Sequence, residues 1–275
     1  MSYIATDRSV SNGTLIELYQ FALGSFSYNY TSSDEDVTVL GVTYKTTQIS
    51  RTTIKKNQEI ASAAITITLP FDSDFAKEYL EAPPSQEATV KVSSYHEEDN
   101  TGEILIDWIG RVATVKFKDE IKADLRCETI TTTLKRTLLR RNYQRQCPHL
   151  LYGAQCGVNR SLFKVQGSSS SASIAGVTLQ MSEIAEQVDG FWTGGFVEFQ
   201  NPNVPLQRRF ITTHVGQFIT MDLPISDRPA GTLIIVYAGC ARNTETCKNK
   251  FNNLDNYGGM PYIPLKNPLN GTSVF

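Results

Sequence analysis

The chain lacks any apolar run long enough to cross a bilayer. Its longest, Leu233–Ala238, is far short of the roughly 20 residues that a spanning helix needs. An excess of one charge is missing too. Lys plus Arg number 26 against 28 Asp plus Glu, for a net charge of -2. That balance excludes a surface built throughout for nucleic acid, which rests on a large basic excess. The N-terminus, Met1 to Arg8, has no basic stretch leading into an apolar one, so no secretory leader is expected. The expectation is folding in a reducing cytoplasm, where disulfides are rare. There is no Gly-rich phosphate loop, no GxSxG and no HExxH, so nothing in the motifs points to an enzyme.

What remains is a chain of 275 residues, 40% hydrophobic. That is enough to bury a core in one large or two modest domains. The patterning is mainly β. Leu15 to Leu23 is apolar and aromatic, and Phe26, Tyr28 and Tyr30 alternate with polar residues, the period of a half-buried strand. Val37 to Tyr44, Ile65 to Leu69, Ala88 to Ser94 and Ala123 to Cys127 repeat the signal. Between them, Phe71, Phe75 and Tyr79 are four apart, Asp72 and Ser73 suit an N-cap and Pro83-Pro84 is a stop. This predicts one short helix over 71–82. A hairpin turn is expected at 97–102, a bulge at Gly110, a flexible turn at Ser168 to Ser173 and a short basic helix over Leu134 to Arg145.

More strands follow at Phe163 to Gln166, Val177 to Leu179, Phe196 to Phe199, Arg209 to Ile211, Phe218 to Leu223 and Leu233 to Tyr237. Their spacing suits a small barrel or sandwich. The last 28 residues hold six Asn, three Gly and three Pro, which predicts an ordered but irregular wrap. The domain division expected is 1–134 and 135–275, each β-rich, with few short helices.

Five cysteines stand at 127, 147, 156, 240 and 247. Cys127 falls on the apolar side of an alternating strand and reads as a core residue. The other four form two pairs, Cys147 with Cys156 and Cys240 with Cys247, bracketing one β-rich segment. Four thiolates are soft ligands that suit zinc or an iron–sulfur cluster. The spacings are those of neither a zinc ribbon nor a ferredoxin. On spacing alone, metal, unpaired thiols and disulfides all stay open, and zinc and iron–sulfur weigh equally. His149 is a possible fifth ligand.

Several stretches together carry a resemblance. They are Arg140 to Cys147 with Leu151-Tyr152-Gly153 and Cys156-Gly157-Val158, then Gly190 to Phe196, then Gly239-Cys240 to Cys247, Lys250 to Asn253, Asn256 to Gly259 and Pro261 to Pro264. In that order they resemble a family of bacteriophage tail-tip proteins, the group of the lambda tail tip protein L and the hub protein of gene transfer agents. The likeness runs over nearly the whole chain.

It implies a non-enzymatic virion component, assembled in the bacterial cytoplasm and placed at the distal end of a long tail. Residues 1–134 would be a hub-type β-barrel or sandwich. The chain would form a homotrimeric ring between the distal tail protein and the central fibre or receptor-binding protein. The resemblance further implies a [4Fe-4S] cluster on Cys147, Cys156, Cys240 and Cys247, with zinc as the alternative metal. Lys135 to Arg145 would face either a neighbouring subunit or the DNA channel. Two other readings stand beside this one: a cytosolic zinc- or cluster-containing binding module, and a cysteine-dependent tail hydrolase.

Overall fold

The computed structural model describes residues 14–54, 64–97, 103–118, 121–135, 142–168, 172–225 and 229–264. The fold is mainly β and divides into two compact units. One is Met1–Arg136 with Pro202–Leu206, the other Thr137–Asn201 with Gln207–Phe275. Among the described residues no helix is long and apolar enough to span a membrane.

The first unit is a nine-stranded sheet built from β1 (Leu15–Leu23), β2 (Phe26–Thr31), β3 (Val37–Val39), β4 (Val42–Thr46), β5 (Ser50–Arg51), β6 (Ile65–Pro70), β7 (Ala88–His96), β8 (Leu105–Lys118) and β9 (Lys122–Thr129). The order is β3-β4-β2-β1-β7-β8-β9-β6-β5. Strand β1 is apolar on both faces because both are covered. Tyr19, Phe21 and Leu23 enter the main core, while Ile16 and Leu18 pack with Val39 and Tyr44 of the β3–β4 hairpin. The sheet curls on itself: Arg51 on edge strand β5 pairs with Glu17 on central strand β1 at 2.6 Å.

The predicted helix over 71–82 is shorter than expected. Only α1 (Asp74–Lys77) is helical, and Ser73 caps it without a side-chain bond. Its role is to plug the core. Phe75 stacks on Phe21 at 4.4 Å and meets Tyr28 and Tyr79 edge-on or tilted, both at 5.5 Å. The buried Phe75 N–H donates to the Tyr30 hydroxyl at 3.0 Å, which satisfies a helix-start donor that water cannot reach. Phe71 turns away to Phe117. Cys127 sits in the same core with no exposure, and burial pushes its thiol up to about 12.

Gly110 is not a bulge. It pairs in register with Val90 and Thr129. A side chain there would meet the Trp108 ring at 2.2 Å, so the glycine makes room for the indole. The register shifts on β8 lie instead beside Ile106–Trp108 and between Val112 and Thr114.

The second unit is a seven-stranded sheet of β10 (Lys164–Ser168), β11 (Ala172–Ala175), β12 (Thr178–Met181), β13 (Phe196–Asn201), β14 (Val204–Val215), β15 (Phe218–Met221) and β16 (Leu233–Tyr237), ordered β10-β16-β13-β14-β15-β12-β11. Its core gathers Leu179, Trp192, Phe199, Ile211, Ile219 and Val236. One helix, α2 (Thr244–Asn249), follows the last strand.

The expected basic helix is not found in what is described of Leu134 to Arg145. Ile130–Lys135 is a 3-10 turn and 142–145 is irregular; 136–141 lie outside the described residues. The expected turns at 97–102 and Ser168 to Ser173 fall largely on 98–102 and 169–171, also outside them. The wrap after α2 is irregular as far as Pro264.

Candidate functional site

Three segments of the second unit close around one cavity of about 210 Å³. The first is the loop carrying Cys147 and Cys156. It turns twice on itself, with the Gly153 N–H donating to the Leu150 carbonyl at 3.0 Å and the Gly157 N–H to Gly153 at 2.9 Å. Inside the first of these turns Tyr152 has φ 62, a left-handed conformation that costs a non-glycine residue energy. Its ring is the compensation. Edge contacts to Phe196 and Phe251, both at 6.3 Å, and a 2.7 Å bond from its hydroxyl to the Ala238 carbonyl wedge the loop against the sheet.

The second segment is the exit of β16 through Gly239 and Cys240, which lies against Gly194-Gly195. The approach is backbone to backbone. A Cβ on Gly239 would stand 1.8 Å from the Thr193 carbonyl oxygen, and one on Gly195 would stand 2.0 Å from that of Tyr237. No other residue fits at either position, so these glycines set where Cys240 emerges.

The third segment is α2 with the wrap beyond it. Asn243 caps the helix, its side chain accepting from the Thr246 N–H at 2.8 Å, and Cys247 is buried on the inner side. The chain leaves through Asn252 at φ 46, a residue type that tolerates the left-handed region. Asn253 then donates from its side chain to the Cys156 carbonyl at 2.6 Å and from its backbone to Cys247 at 2.9 Å. It thereby ties the two cysteine segments together. The Cys147 N–H donates to the Arg242 carbonyl at 2.9 Å, and the Tyr257 hydroxyl reaches the carbonyls of Arg145 at 2.6 Å and Arg242 at 3.2 Å.

Cys147, Cys156, Cys240 and Cys247 all line this cavity, together with His149. All five cysteines of the chain are free thiols, so neither pair is a disulfide. The His149 Nδ1 lies 3.1 Å from the Asn256 carbonyl. Burial raises the Cys240 thiol, the Arg242 N–H opposes it, and the neighbouring Cys156 and Cys147 raise it further. Burial also raises Cys247, with Cys240, Cys147 and Cys156 adding to it. Four thiols that repel each other's ionised forms need a cation to become thiolates together.

The donor chemistry is present as well. The Arg242 N–H points at the Cys240 sulfur at 3.3 Å, and the Asn253 amide lies 3.9 Å from that of Cys156. Such N–H···S contacts tune sulfur-ligated metals. One contact runs the other way: the Cys247 thiol donates to the Asn253 carbonyl at 3.1 Å, a bond that a metal-bound thiolate gives up. Among the described residues no three His, Cys, Asp or Glu side chains gather tightly enough to hold a single ion.

Two residues not expected among the walls and fastenings of the thiol site complete it. Arg145, read as part of a basic surface, donates to the Pro261 carbonyl at 3.2 Å while its own carbonyl accepts from Tyr257, so it clasps the wrap. Lys250 reaches back from the end of α2 to the Gly239 carbonyl at 2.8 Å. The Asn243-to-Thr246 capping pattern was the available signal for α2. Nothing local signals the role of Lys250.

Comparison with known proteins agrees with this architecture. Residues 11–159, more than half of the chain, match the family described as baseplate hub protein, N-terminal attachment domain. Residues 190–267 match the family described as phage conserved hypothetical protein BR0599. No curated protein matches the chain by sequence. Among solved structures, a chain of the virion of a native gene transfer agent particle is similar in fold, with a TM-score of 0.76 at 17% identity over 100% of this chain and 99% of that one. The chain therefore belongs to the baseplate hub protein family and is a structural component of a phage tail or baseplate.

Proposed function

We propose that the protein is a hub subunit at the distal tip of a long phage tail, and that its second unit is held together by a [4Fe-4S] cluster on Cys147, Cys156, Cys240 and Cys247. The single observation that carries the cluster reading is the convergence of all four thiols on one cavity from segments that lie far apart in sequence. Those segments have little regular structure of their own, so bonds to a shared metal group would cross-link them. Metal-binding energy becomes folding energy when a site does not preform.

A polynuclear group is favoured over zinc. Tetrahedral zinc, at about 2.3 Å from each sulfur, draws four thiolates close around one ion. All four thiols line one cavity of about 210 Å³, many times the roughly 10–15 Å³ that one small sphere such as a water needs, which leaves room for a group larger than a single ion. The homotrimeric ring between a distal tail protein and a central fibre, and the position at the tail end, are supported by the family resemblance of the chain.

The test is anaerobic purification followed by visible absorption, with iron and sulfide measured on the same sample. A broad band near ~400 nm with about four iron and four sulfide per chain is expected. One zinc per chain without colour replaces the cluster by the alternative metal. Soluble, infectious particles from a double Cys147→Ser, Cys240→Ser variant would sink the cross-link.

A further inference from the structure

Lys250 packs behind the wall of the thiol site, next to the Cys240 segment and the ring of Phe251, which lines the cavity. Its ammonium donates to the Gly239 carbonyl at 2.8 Å and to the Phe191 carbonyl. It stands 3.9 Å from the centre of the Phe191 ring and 5.4 Å from that of Phe251. Gly239 directly precedes Cys240, so the charge is fixed one peptide from a cysteine of the quartet. Burial pulls the ammonium down to about 8, and the only opposing influence comes from Cys240. No described carboxylate pairs with it. A half-buried cation held by two neutral carbonyls and two ring faces is short of an anion, and charges are seldom taken out of water without one.

The quartet supplies that anion. Four thiolates carry four negative charges, and the core of an iron–sulfur cubane offsets only part of them. The bound group stays anionic, and one-electron reduction adds a further negative charge. Resting on the cluster reading, we infer that Lys250 is the built-in counter-charge of the site: an ammonium locked against the Cys240 segment that offsets the metal-bound thiolates and favours the reduced cluster. It acts through space and through the Gly239 carbonyl, as a positioning residue rather than a ligand. A fixed cation stabilises the more negative state more strongly, so its removal lowers the reduction potential.

The experiment compares the wild-type chain with Lys250→Arg and Lys250→Met, each assayed for iron and sulfide and then titrated anaerobically against redox dyes at one pH. Lys250→Arg keeps the charge and should hold the wild-type potential. Lys250→Met should shift the reduced-to-oxidised ratio about tenfold toward oxidised at a fixed potential, a 59 mV fall for a one-electron couple. If Lys250→Met does not yield soluble protein, Lys250→Gln takes its place, keeping a donor without the charge. Faster iron loss from the neutral variant, with retention in Lys250→Arg, also supports the counter-charge. A neutral variant that loads a full cluster at the wild-type potential overturns it, even if it unfolds more easily, and leaves Lys250 as a strut. A wild-type protein with neither iron nor sulfide overturns the cluster reading itself, and the counter-charge with it.

Discussion

Replacing Gly239 by alanine tests whether the exit of β16 and the Gly194-Gly195 strap touch backbone to backbone. The new methyl carbon would lie 1.8 Å from the Thr193 carbonyl oxygen and 2.3 Å from the Gly195 nitrogen. Neither is the end of a flexible side chain, so the two segments must part by roughly 1.2 Å to restore even a 3.0 Å contact. The strap is held on its other side by the Gly194 N–H to the Ile211 carbonyl and the Ile211 N–H to the Gly195 carbonyl, both at 2.9 Å. Overpacking alone costs about 1–3 kcal/mol, and straining two buried backbone bonds adds about 1 kcal/mol each. The expected loss is about 3–5 kcal/mol, a large share of the roughly 5–15 kcal/mol that holds a domain.

The chain carries its own reporters for this measurement. Trp108 lies in the first core and Trp192 in the second, 6% and 3% exposed. Urea unfolding of the full chain in a Trp108→Phe background follows the second unit through Trp192 alone. Gly176→Ala is the control. Gly176 has φ +59 with nothing near its missing side chain, so alanine there pays only the left-handed penalty of about 1 kcal/mol. A Gly239→Ala midpoint equal to that of Gly176→Ala, at constant slope, would refute the close approach.

Other outcomes follow from the same geometry. Cys127→Ser places a hydroxyl in the first core and should cost about 1–3 kcal/mol, leaving the iron of the proposed cluster unchanged; a loss of that iron would contradict its role as a core residue. Phe75→Ala removes the ring stacked on Phe21 and should cost about 3–5 kcal/mol, read by Trp108 fluorescence but not by Trp192. Asn253→Ala severs the tie to the Cys156 carbonyl and should cost about 1–3 kcal/mol for the acceptor left behind, with faster release of the proposed cluster's iron to a chelator. The Asp124 carboxyl is held below its usual range by Lys118 first and then by Thr68, against a small opposing effect of burial. Its depressed value in the folded chain means that its contribution is present above about pH 4 and fades as pH falls through the lowered value. Asp124→Asn should therefore flatten the acid limb of the stability curve, and an unchanged limb would count against the pair.

Strands were readable because a half-buried sheet writes its period into the chain: β2, β6 and β9 fall where alternation placed them, and β1 falls on an apolar and aromatic run that both of its covered faces require. The helix at α1 was overextended because Pro83-Pro84 marks only how far a helix can run. Its actual end is set by what Phe75 needs to reach in the core. Gly110 looked like a bulge because glycine in a strand has two uses, and only the position of the Trp108 ring distinguishes them. In the second unit, α2 was missed because the Cys240–Cys247 stretch drew attention only for its thiols, although Asn243 was a fair N-cap. The four cysteines could be picked out but not brought together from spacing alone, since their meeting depends on strands that lie between them. Arg145 and Lys250 were opaque for a common reason: their partners are backbone carbonyls, which leave no mark on composition.

The arrangement of the quartet also orders events during synthesis. Cys147 and Cys156 leave the ribosome first, and Cys240 follows only after the seven-stranded sheet has been made. At about 5–20 residues per second, the stretch between Cys156 and Cys240 takes about 4–17 s to appear. Through that interval the early loop has no wall opposite it, and Asn253 and Tyr257, which fasten the two halves, come later still. A chain broken off before residue 240 carries only Cys147 and Cys156 of the quartet, without the Cys240 and Cys247 segments that complete the cavity.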